Sequence, residues 1–327
     1  MPAVRVMPVT SVDANKVNKL NIASLKDVLG DMTLTNLLIE ELDLSQINFN
    51  GNTLTLQCEQ LNKIVGSETF NGSLFLLPKD CRLTEFTLEG ISNIQGDFQC
   101  IDYFYVKEFV MPFIRVAGDM TIALNSGSVN TAAEIEFPKL QEIGGTLTLG
   151  TNRNANNITF PLLKKILGSC SVTTYKLKND IEFTNLESIG TDGADAQIKF
   201  EIEATNILCP KLKTINGKFD IATSSFMFDM EVDKVSYPNV ESISENLSIT
   251  CPYSDFGSNG ILSIDFSGLK SAKGISISGQ GDVTDFSSFK YLFENNVLTG
   301  ESQWSVKECG YNPTFQEMKD GKYKLAE

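Results

Sequence analysis

The side chains of this 327-residue chain that could do chemistry are carboxylates, lysines, thiols and aromatic rings, because histidine is absent altogether. Without histidine, a Ser-His-Asp or Cys-His nucleophile in its usual form is excluded, and so are most zinc and iron sites, which rely on imidazole ligands. A serine–lysine pair stays formally open, although no motif in the sequence selects one.

Lysine and glutamate alternate at one position of a repeated pattern, in the order Lys164, Glu187, Lys213, Glu241. Parallel β-helix enzymes that act on polysaccharides place such carboxylates and basic residues on adjacent coils, so one interpretation is a reaction centre. Regular alternation over several copies favours the other interpretation, a solvent-exposed ladder of opposite charges, because one reaction centre needs only one cluster.

A second acidic group, Asp229, Glu231 and Asp233, alternates along the chain and could hold a calcium ion on three carboxylates. No glycine-containing loop of EF-hand type surrounds these residues. A solvated acidic strand or loop is therefore the simpler interpretation, and the sequence predicts neither a metal nor a cofactor.

Aromatic residues in apparent insertions could form a platform for a sugar or a protein. Tyr103 and Tyr105 alternate in a way that is also typical of a strand with one buried side. Tyr253 and Phe256 lie in the most loop-like stretch, and loops often carry binding sites. We therefore predict Tyr253 and Phe256 first, and then Tyr103 and Tyr105, as candidate ligand contacts.

A repeated pattern must position all of these side chains. Its clearest copy begins at Phe137 and continues with Leu140, Ile143, Gly145 and alternating apolar residues. Copies begin roughly 20 to 30 residues apart, a period typical of solenoids. Their leading residues are Cys58, Leu88, Val110, Phe137, Phe160, Phe183, Cys209, Tyr237, Phe266 and Phe286.

Each copy contains two short elements and no room for a long helix. The alternation Leu147-Thr148-Leu149 predicts a strand with one buried face. Glycines such as Gly145 and Gly217 precede such strands, at a corner where positive φ can be needed. The sequence therefore predicts an all-β fold, a parallel β-solenoid of about ten coils.

Stacking of the coils in register would bring the alternating lysines and glutamates into one column, from Lys164 to Lys270. Neighbouring members would then lie one inter-strand spacing apart, ~4.8 Å. Opposite charges in such positions contribute only about 0.2–1 kcal/mol each, so we expect the column to tune the register without holding the fold together.

These copies resemble the receptor L-domain family, right-handed β-helices with leucine-rich-repeat-like coils, over residues 42–292. They are most similar to the bacterial (Bacteroides-type) cell-surface proteins that use this repeat. The resemblance implies a recognition or adhesion role at the cell surface or outside the cell, in an outer-membrane lipoprotein whose signal and anchor lie outside this sequence. Receptor domains carry disulfide-rich modules that are missing here, so growth-factor binding is not carried over.

The composition limits the classes of binding partner. A net charge of −14 and a pI near 4.6 disfavour nucleic acid and anionic membrane surfaces as partners. No apolar run of about 18 residues is present, so no membrane-spanning segment is predicted in this chain. The first residues lack the apolar core of a signal peptide, which leaves either a cytosolic protein or a trimmed mature region. The family resemblance favours the second.

The seven cysteines show no metal-binding or redox spacing. Cys58 and Cys209 occupy the leading position of a copy, and Cys100 and Cys170 occupy inward strand positions. We expect most of the cysteines to be free, buried and structural. A disulfide between Cys170 and Cys209 would require neighbouring coils.

Both ends of the repeat need a cap, since the last coil would otherwise expose its core. Residues 1–30 are predicted as an N-terminal tail and helical cap, because the stretch from Ser24 to Asp27 has capping-box form and Gly30 could end a helix. Residues 31–292 are predicted as the solenoid.

Residues 293–327 are predicted as the C-terminal cap. Thr314 and Glu317 form a second capping box, and Gly321 is placed to end that short helix. We expect Trp304 and Tyr311 to pack on the last coil.

The sequence thus favours a non-catalytic module that binds a glycan or a protein of a host or bacterial surface through one solenoid face. Two alternatives remain open, namely a polysaccharide-acting β-helix enzyme and a structural spacer.

Overall fold

The computed structural model describes residues 4–6, 12–17, 20, 22, 24–77, 85–101, 108–125, 133–152, 155–175, 180–193, 195–202, 206–223, 234–251, 263–281 and 283–326. It is nearly all β, and its parallel sheets form a β-solenoid of about eight turns. The predicted fold is thus confirmed, with fewer coils than the ten expected. One reason is that the last copy, led by Phe286, forms a 3-10 turn, Ser287–Phe289, and a short helix instead of strands.

The chain divides into two compact units, Met1–Leu163 and Lys164–Glu327. In unit 1 the strands are β1 Val4–Val6, β2 Val12–Val17, β3 Leu25–Val28, β4 Met32–Leu37, β5 Glu41–Asp43, β6 Thr53–Gln57, β7 Lys63–Val65, β8 Thr69–Phe70, β9 Ser73–Leu76, β10 Glu85–Glu89, β11 Asn93–Ile94, β12 Phe98–Ile101, β13 Glu108–Val110, β14 Arg115–Val116, β15 Met120–Asn125, β16 Ala133–Glu136, β17 Glu142–Ile143, β18 Leu147–Asn152 and β19 Ala155–Thr159.

Three parallel ladders run through unit 1, in the orders β5-β7-β10-β13-β16-β19, β8-β11-β14-β17 and β2-β4-β6-β9-β12-β15-β18. Alternate residues of each strand point inward, so one column of the core consists of Leu54, Leu74, Phe98, Met120 and Leu147, all fully buried. The period-2 pattern of the sequence therefore places the same face of every strand in the core.

In unit 2 the elements are β20 Lys165–Ile166, β21 Cys170–Tyr175, β22 Ile181–Glu182, β23 Ser188–Ile189, β24 Ala196–Ile202, β25 Ile207–Leu208, β26 Thr214–Ile215, β27 Gly217–Thr223, β28 Lys234–Ser236, β29 Ser242–Ile243, β30 Asn246–Cys251, β31 Ser263–Asp265, β32 Gly274–Gly281, α1 Lys290–Glu294, β33 Trp304–Cys309 and α2 Phe315–Lys319. Two of its ladders are continuous, β20-β23-β26-β29 and β21-β24-β27-β30-β32-β33. The third face is in two pieces, β22-β25 and β28-β31.

Two leading residues, Tyr237 and Phe266, form an aromatic column with Phe289 in the core of unit 2. The ring centroids of Tyr237 and Phe266 are 5.7 Å apart, and those of Phe266 and Phe289 are 6.0 Å apart. Phe219 packs edge-on against Tyr237 at 5.4 Å. Aromatic pairs at these distances add about 0.5–1.5 kcal/mol each beyond the area they bury, so this column holds successive coils together.

The corner glycines are needed for a different reason from the one expected. Neither Gly145 nor Gly217 has positive φ. A Cβ atom at Gly217 would clash with the carbonyl oxygen of Ala196, and one at Gly145 would lie 2.7 Å from the carbonyl carbon of Gly118. The expectation of positive φ was wrong at both positions, because close stacking of the coils, and not backbone conformation, excludes a side chain there.

The predicted N-terminal helix was also wrong. The stretch from Ser24 to Asp27 leads into strand β3, Leu25–Val28, which pairs in parallel with β1. The Val28 amide donates to the Asn48 carbonyl at 2.8 Å, and Leu25 and Val28 are buried. Non-local backbone hydrogen bonds and apolar burial outweigh a local capping signal, which is worth only about 1 kcal/mol.

The C-terminal cap follows the prediction. Helix α2 begins after Thr314, whose hydroxyl accepts from the Glu317 amide, and Gly321 follows it with φ of +79°. Trp304 is buried in β33, and its Nε1 donates to the Pro313 carbonyl at 2.8 Å. Tyr311 packs with its ring centroid 6.3 Å from that of Phe286. The cap therefore closes unit 2 by adding one strand and packing α1 and α2 near it.

Candidate functional site

The predicted aromatic contacts Tyr103, Tyr105, Tyr253 and Phe256 lie outside the described residues. The same holds for the acidic group Asp229, Glu231 and Asp233. The contacts stay predictions, and so does the interpretation of the acidic group as a solvated strand or loop. The candidate site consists of other residues.

The lysine–glutamate column stacks as predicted. The amide of each member donates to the carbonyl of the preceding one, at 2.8–3.0 Å from Lys164 to Lys270. At one end, Lys270 Nζ lies 2.9 Å from Glu241 Oε2. The hydrogen bond and charge of Lys270 lower the pKa of the Glu241 carboxyl, with a smaller contribution from Lys213. The geometry is that of a solvated ladder along one corner of unit 2.

At the other end of this column, four exposed lysines lie on two coils that the coil of Glu187 separates. They are Lys164, Lys165, Lys211 and Lys213, here called the lysine ridge. Among the residues that the structure describes, no carboxylate lies within 4.0 Å of their amino groups. Lys211 Nζ instead donates to the neutral amide oxygen of Asn185, so its positive charge is held in place and stays uncompensated.

A cleft opens beside the lysine ridge, where the third face of unit 2 is interrupted. Strand β25 pairs with β22, and β28 pairs with β31, but β25 and β28 do not pair with each other. Between them lies a cleft of about 110 Å³ lined by Asn206, Ile207, Leu208, Lys234, Val235, Ser236 and Tyr237. The same two coils stay paired through β26–β29 and β27–β30, so the opening is confined to one face.

Tyr237 explains why the opening is stable. Its ring is buried, and its hydroxyl donates to the Ile207 carbonyl at 3.0 Å. A buried hydroxyl needs such a partner, and here it takes one edge group of β25 that a strand ladder would otherwise use. Burial raises the pKa of Tyr237 well above its usual value, and the nearby thiols Cys209 and Cys170 add to this. The phenol therefore stays neutral and keeps donating.

The thiols beneath the cleft are free and buried, as predicted for Cys170 and Cys209. Burial raises the pKa of Cys170 to about 12 and that of Cys209 well above its usual value. Because a thiolate is the reactive form, both sulfurs act as small apolar side chains. No disulfide joins them, and Cys58 and Cys100 are likewise buried.

The mouth of the cleft combines an apolar and a charged side. Leu208 is 40% exposed, while Lys234 lies 3.7 Å from Asp265, and the Ser236 hydroxyl lies 3.5 Å from the same carboxylate. Burial acts to raise the pKa of Asp265, but hydrogen bonds from Ser267 and the charge of Lys234 outweigh it and lower that pKa. The carboxylate is thus ionised and holds the Lys234 side of the mouth.

The sequence carried two signals for this cleft that its interpretation missed. Tyr237 is the one leading residue with a hydroxyl, which must be satisfied when buried. Leu208 is apolar at the outward position just before the leading residue. The other clear copies are polar there, with Glu136, Thr159, Glu182, Ser236 and Asp265.

Comparisons with family models, with curated proteins and with solved structures find no match for this chain. Within the described ranges, no helix is both long and apolar enough to cross a membrane. The same ranges contain no group of three or more cysteine, aspartate and glutamate side chains arranged to hold a metal ion.

Proposed function

We propose that this protein is a non-catalytic recognition or adhesion module that binds a protein or a glycan through a face of its solenoid. The observation that carries the proposal is the opening between β25 and β28, which interrupts a parallel ladder next to the exposed Leu208, on the coil of Lys211 and Lys213.

The opening offers two kinds of contact to an extended ligand. Strand edges that do not pair with each other present backbone donors and acceptors, which peptides commonly use when they add to a sheet. Leu208 supplies apolar area, and Pro210, exposed at the next corner of the same coil, extends it. Both strands are part of a hydrogen-bonded solenoid, so little ordering is needed on binding, and a preorganised surface loses less affinity to that cost.

The proposed setting is the cell surface, as an outer-membrane lipoprotein. Its support is the resemblance of residues 42–292 to bacterial surface proteins with the same repeat. An acidic, rigid repeat protein also suits exposure to solvent, since net charge of one sign keeps molecules apart.

An array of glycans and of host-matrix and bacterial-surface proteins tests the proposal, using the wild type, Leu208→Asp and Leu162→Asp. Leu162 is a matched control, because it is 42% exposed against 40% for Leu208. We expect a selective ligand whose binding falls by about tenfold or more in Leu208→Asp, as for a central contact worth over about 1.4 kcal/mol, and stays unchanged in Leu162→Asp.

Binding to nothing at micromolar concentrations would contradict the proposal and favour a spacer. Breakdown of an arrayed glycan would favour an enzyme instead.

A further inference from the structure

We propose that the lysine ridge binds a linear polysaccharide that carries one anionic group on every second sugar, laid across successive coils of unit 2. This inference rests on the proposed recognition function and names the ligand class.

The charge of the ridge favours an anionic ligand. The chain has a net charge of −14, yet the four lysines of the ridge are next to two acids in their column, Glu187 and Glu241, and Glu241 pairs with Lys270. Several other lysines of unit 2 pair with acids, as in Lys270–Glu241, Lys218–Asp220 and Lys290–Glu294. The ridge is therefore a local excess of positive charge on an acidic protein, and an anionic ligand would relieve its self-repulsion.

The spacing of the lysines in the column also fits such a polymer. Lys164 and Lys213 lie two coils apart in one column, with Glu187 between them, which corresponds to about 10 Å at ~4.8 Å per coil. A nucleic acid strand carries a phosphate about every 3.4 Å along a duplex, so its charges would crowd Glu187. A polymer with an anionic group on alternate sugars can place those groups at the two lysines.

Between the two lysines such a polymer presents a neutral sugar to Glu187. The hydroxyls of that sugar can donate to the carboxylate, so the acidic member of the column becomes a hydrogen-bond acceptor and not a repulsive charge. Alternating charge on the protein thus matches alternating charge on the ligand.

The shape of the ridge also favours a linear chain. The ridge follows one corner of the coils, and exposed acids lie outside it, with Glu182 directly opposite Leu208 and with Asp192 and Asp195 further along the coil of Glu182. A planar anionic membrane would meet those acids together with the lysines, whereas a linear chain meets the ridge alone. Leu208 and Pro210 precede Lys211 on one coil and give the apolar faces of sugar rings a surface next to the charges.

Titration with hyaluronan oligosaccharides, which carry one carboxylate per disaccharide, tests the inference. We expect saturable binding that weakens as salt is raised. It should weaken about tenfold in Lys164→Gln/Lys213→Gln, since two exposed ion pairs together account for a change of that order. The matched control is Lys199→Gln/Lys218→Gln, which removes two lysines from β24 and β27 and should bind as the wild type does.

Three companion ligands sharpen the result. Dextran has no charge, polygalacturonate is charged on every sugar, and single-stranded DNA is a denser polyanion, so each should bind more weakly than hyaluronan. Equal or tighter binding of polygalacturonate or DNA would show a general polyanion surface and overturn the spacing argument. Hyaluronan binding that is equal in both double variants would overturn the site.

Failure of this inference can be told apart from failure of the proposed function. If no anionic glycan binds but an arrayed protein or neutral glycan binds in a Leu208-dependent manner, the ridge assignment is wrong and the recognition function stands. If neither class binds, both are wrong.

Discussion

Two columns of charged residues, one in each unit, obey the same stacking and carry opposite arrangements of charge. In unit 1, positions 85, 108 and 134 are all glutamate and lie directly opposite one another on β10, β13 and β16. In unit 2, lysine and glutamate alternate from Lys164 to Lys270. The strands keep their register in both columns, so the charge pattern does not determine the register.

The buried neighbours of the glutamate column explain this. Phe86, Phe109 and Ile135 pair in the same register on the inward side, and the two rings stack with centroids 6.1 Å apart. Burying one such side chain contributes about 1.5–3 kcal/mol, whereas a directly opposed pair of like charges costs about 0.2–1 kcal/mol. Core packing therefore decides the register, and surface charge is left free for recognition.

The largest effect is expected from removing a member of the buried column. Phe109→Ala should lower the free energy of unfolding by about 3–5 kcal/mol, because this side chain is fully buried. Denaturant unfolding measures it, with Phe75→Ala as the control, because Phe75 points outward on β9 and is only half-buried. Equal losses of unfolding free energy in the two variants would show that side-chain burial does not determine the size of the effect.

Substitutions at the corner glycines test whether the coils stack equally closely within each unit. Gly145→Ala in unit 1 and Gly217→Ala in unit 2 should each cost about 1–3 kcal/mol, because the new methyl group would meet backbone atoms of the preceding coil. Gly150→Ala should be nearly neutral, since no atom lies within 4 Å of the place its methyl group would occupy. Thermal unfolding of the three variants gives their order of stability. A loss of stability in Gly150→Ala alone would contradict the prediction.

Exchanging the charge patterns should change the free energy of unfolding by a smaller amount, and the change should have opposite sign in the two units. Glu85→Lys makes the column of unit 1 alternate and should stabilise by about 0.2–1 kcal/mol, while Lys213→Glu gives unit 2 a run of like charges and should destabilise by a similar amount. Both changes in stability should largely disappear near 1 M salt, where the Debye length is about 3 Å. Shifts of the same sign would show that the columns are not equivalent.

The smallest effect is a pH dependence from the Glu241–Lys270 pair of unit 2. Lys270 lowers the pKa of Glu241 below its ordinary 4.5, so the unfolded chain takes up this proton at higher pH than the folded one. The stabilisation is present above pH 4.5 and is lost as the pH falls through the folded value. The difference in Tm between the wild type and Glu241→Gln should therefore shrink as acid is added. A constant difference from about pH 7 to about pH 3 would argue against the pair.

Much of this architecture could be predicted from local pattern. The period of the copies indicates a parallel solenoid, and the stacking of Lys164 over Glu187 and Lys213 follows once each copy is one coil. The capping box at Thr314 and the burial of Cys170 and Cys209 follow in the same way, because each depends on residues close in sequence or on the inward face of one strand.

The local sequence pattern could not decide which strand edges pair with each other. Ser24 to Asp27 carries a helix signal but becomes part of a strand, because its backbone partners come from residues near Asn48. Gly145 and Gly217 look like turn residues, yet the coil beneath each of them is what excludes a side chain. The contacts predicted at Tyr103, Tyr105, Tyr253 and Phe256 stay predictions.

The sequence by itself determined the repeat, the inward and outward faces of each strand, and the columns that stacking creates, since all of these depend on period alone. Only the tertiary structure decided where the third face of unit 2 opens. That depends on the hydrogen bond from the buried Tyr237 hydroxyl to the Ile207 carbonyl, a contact between residues 30 positions apart that no local pattern specifies.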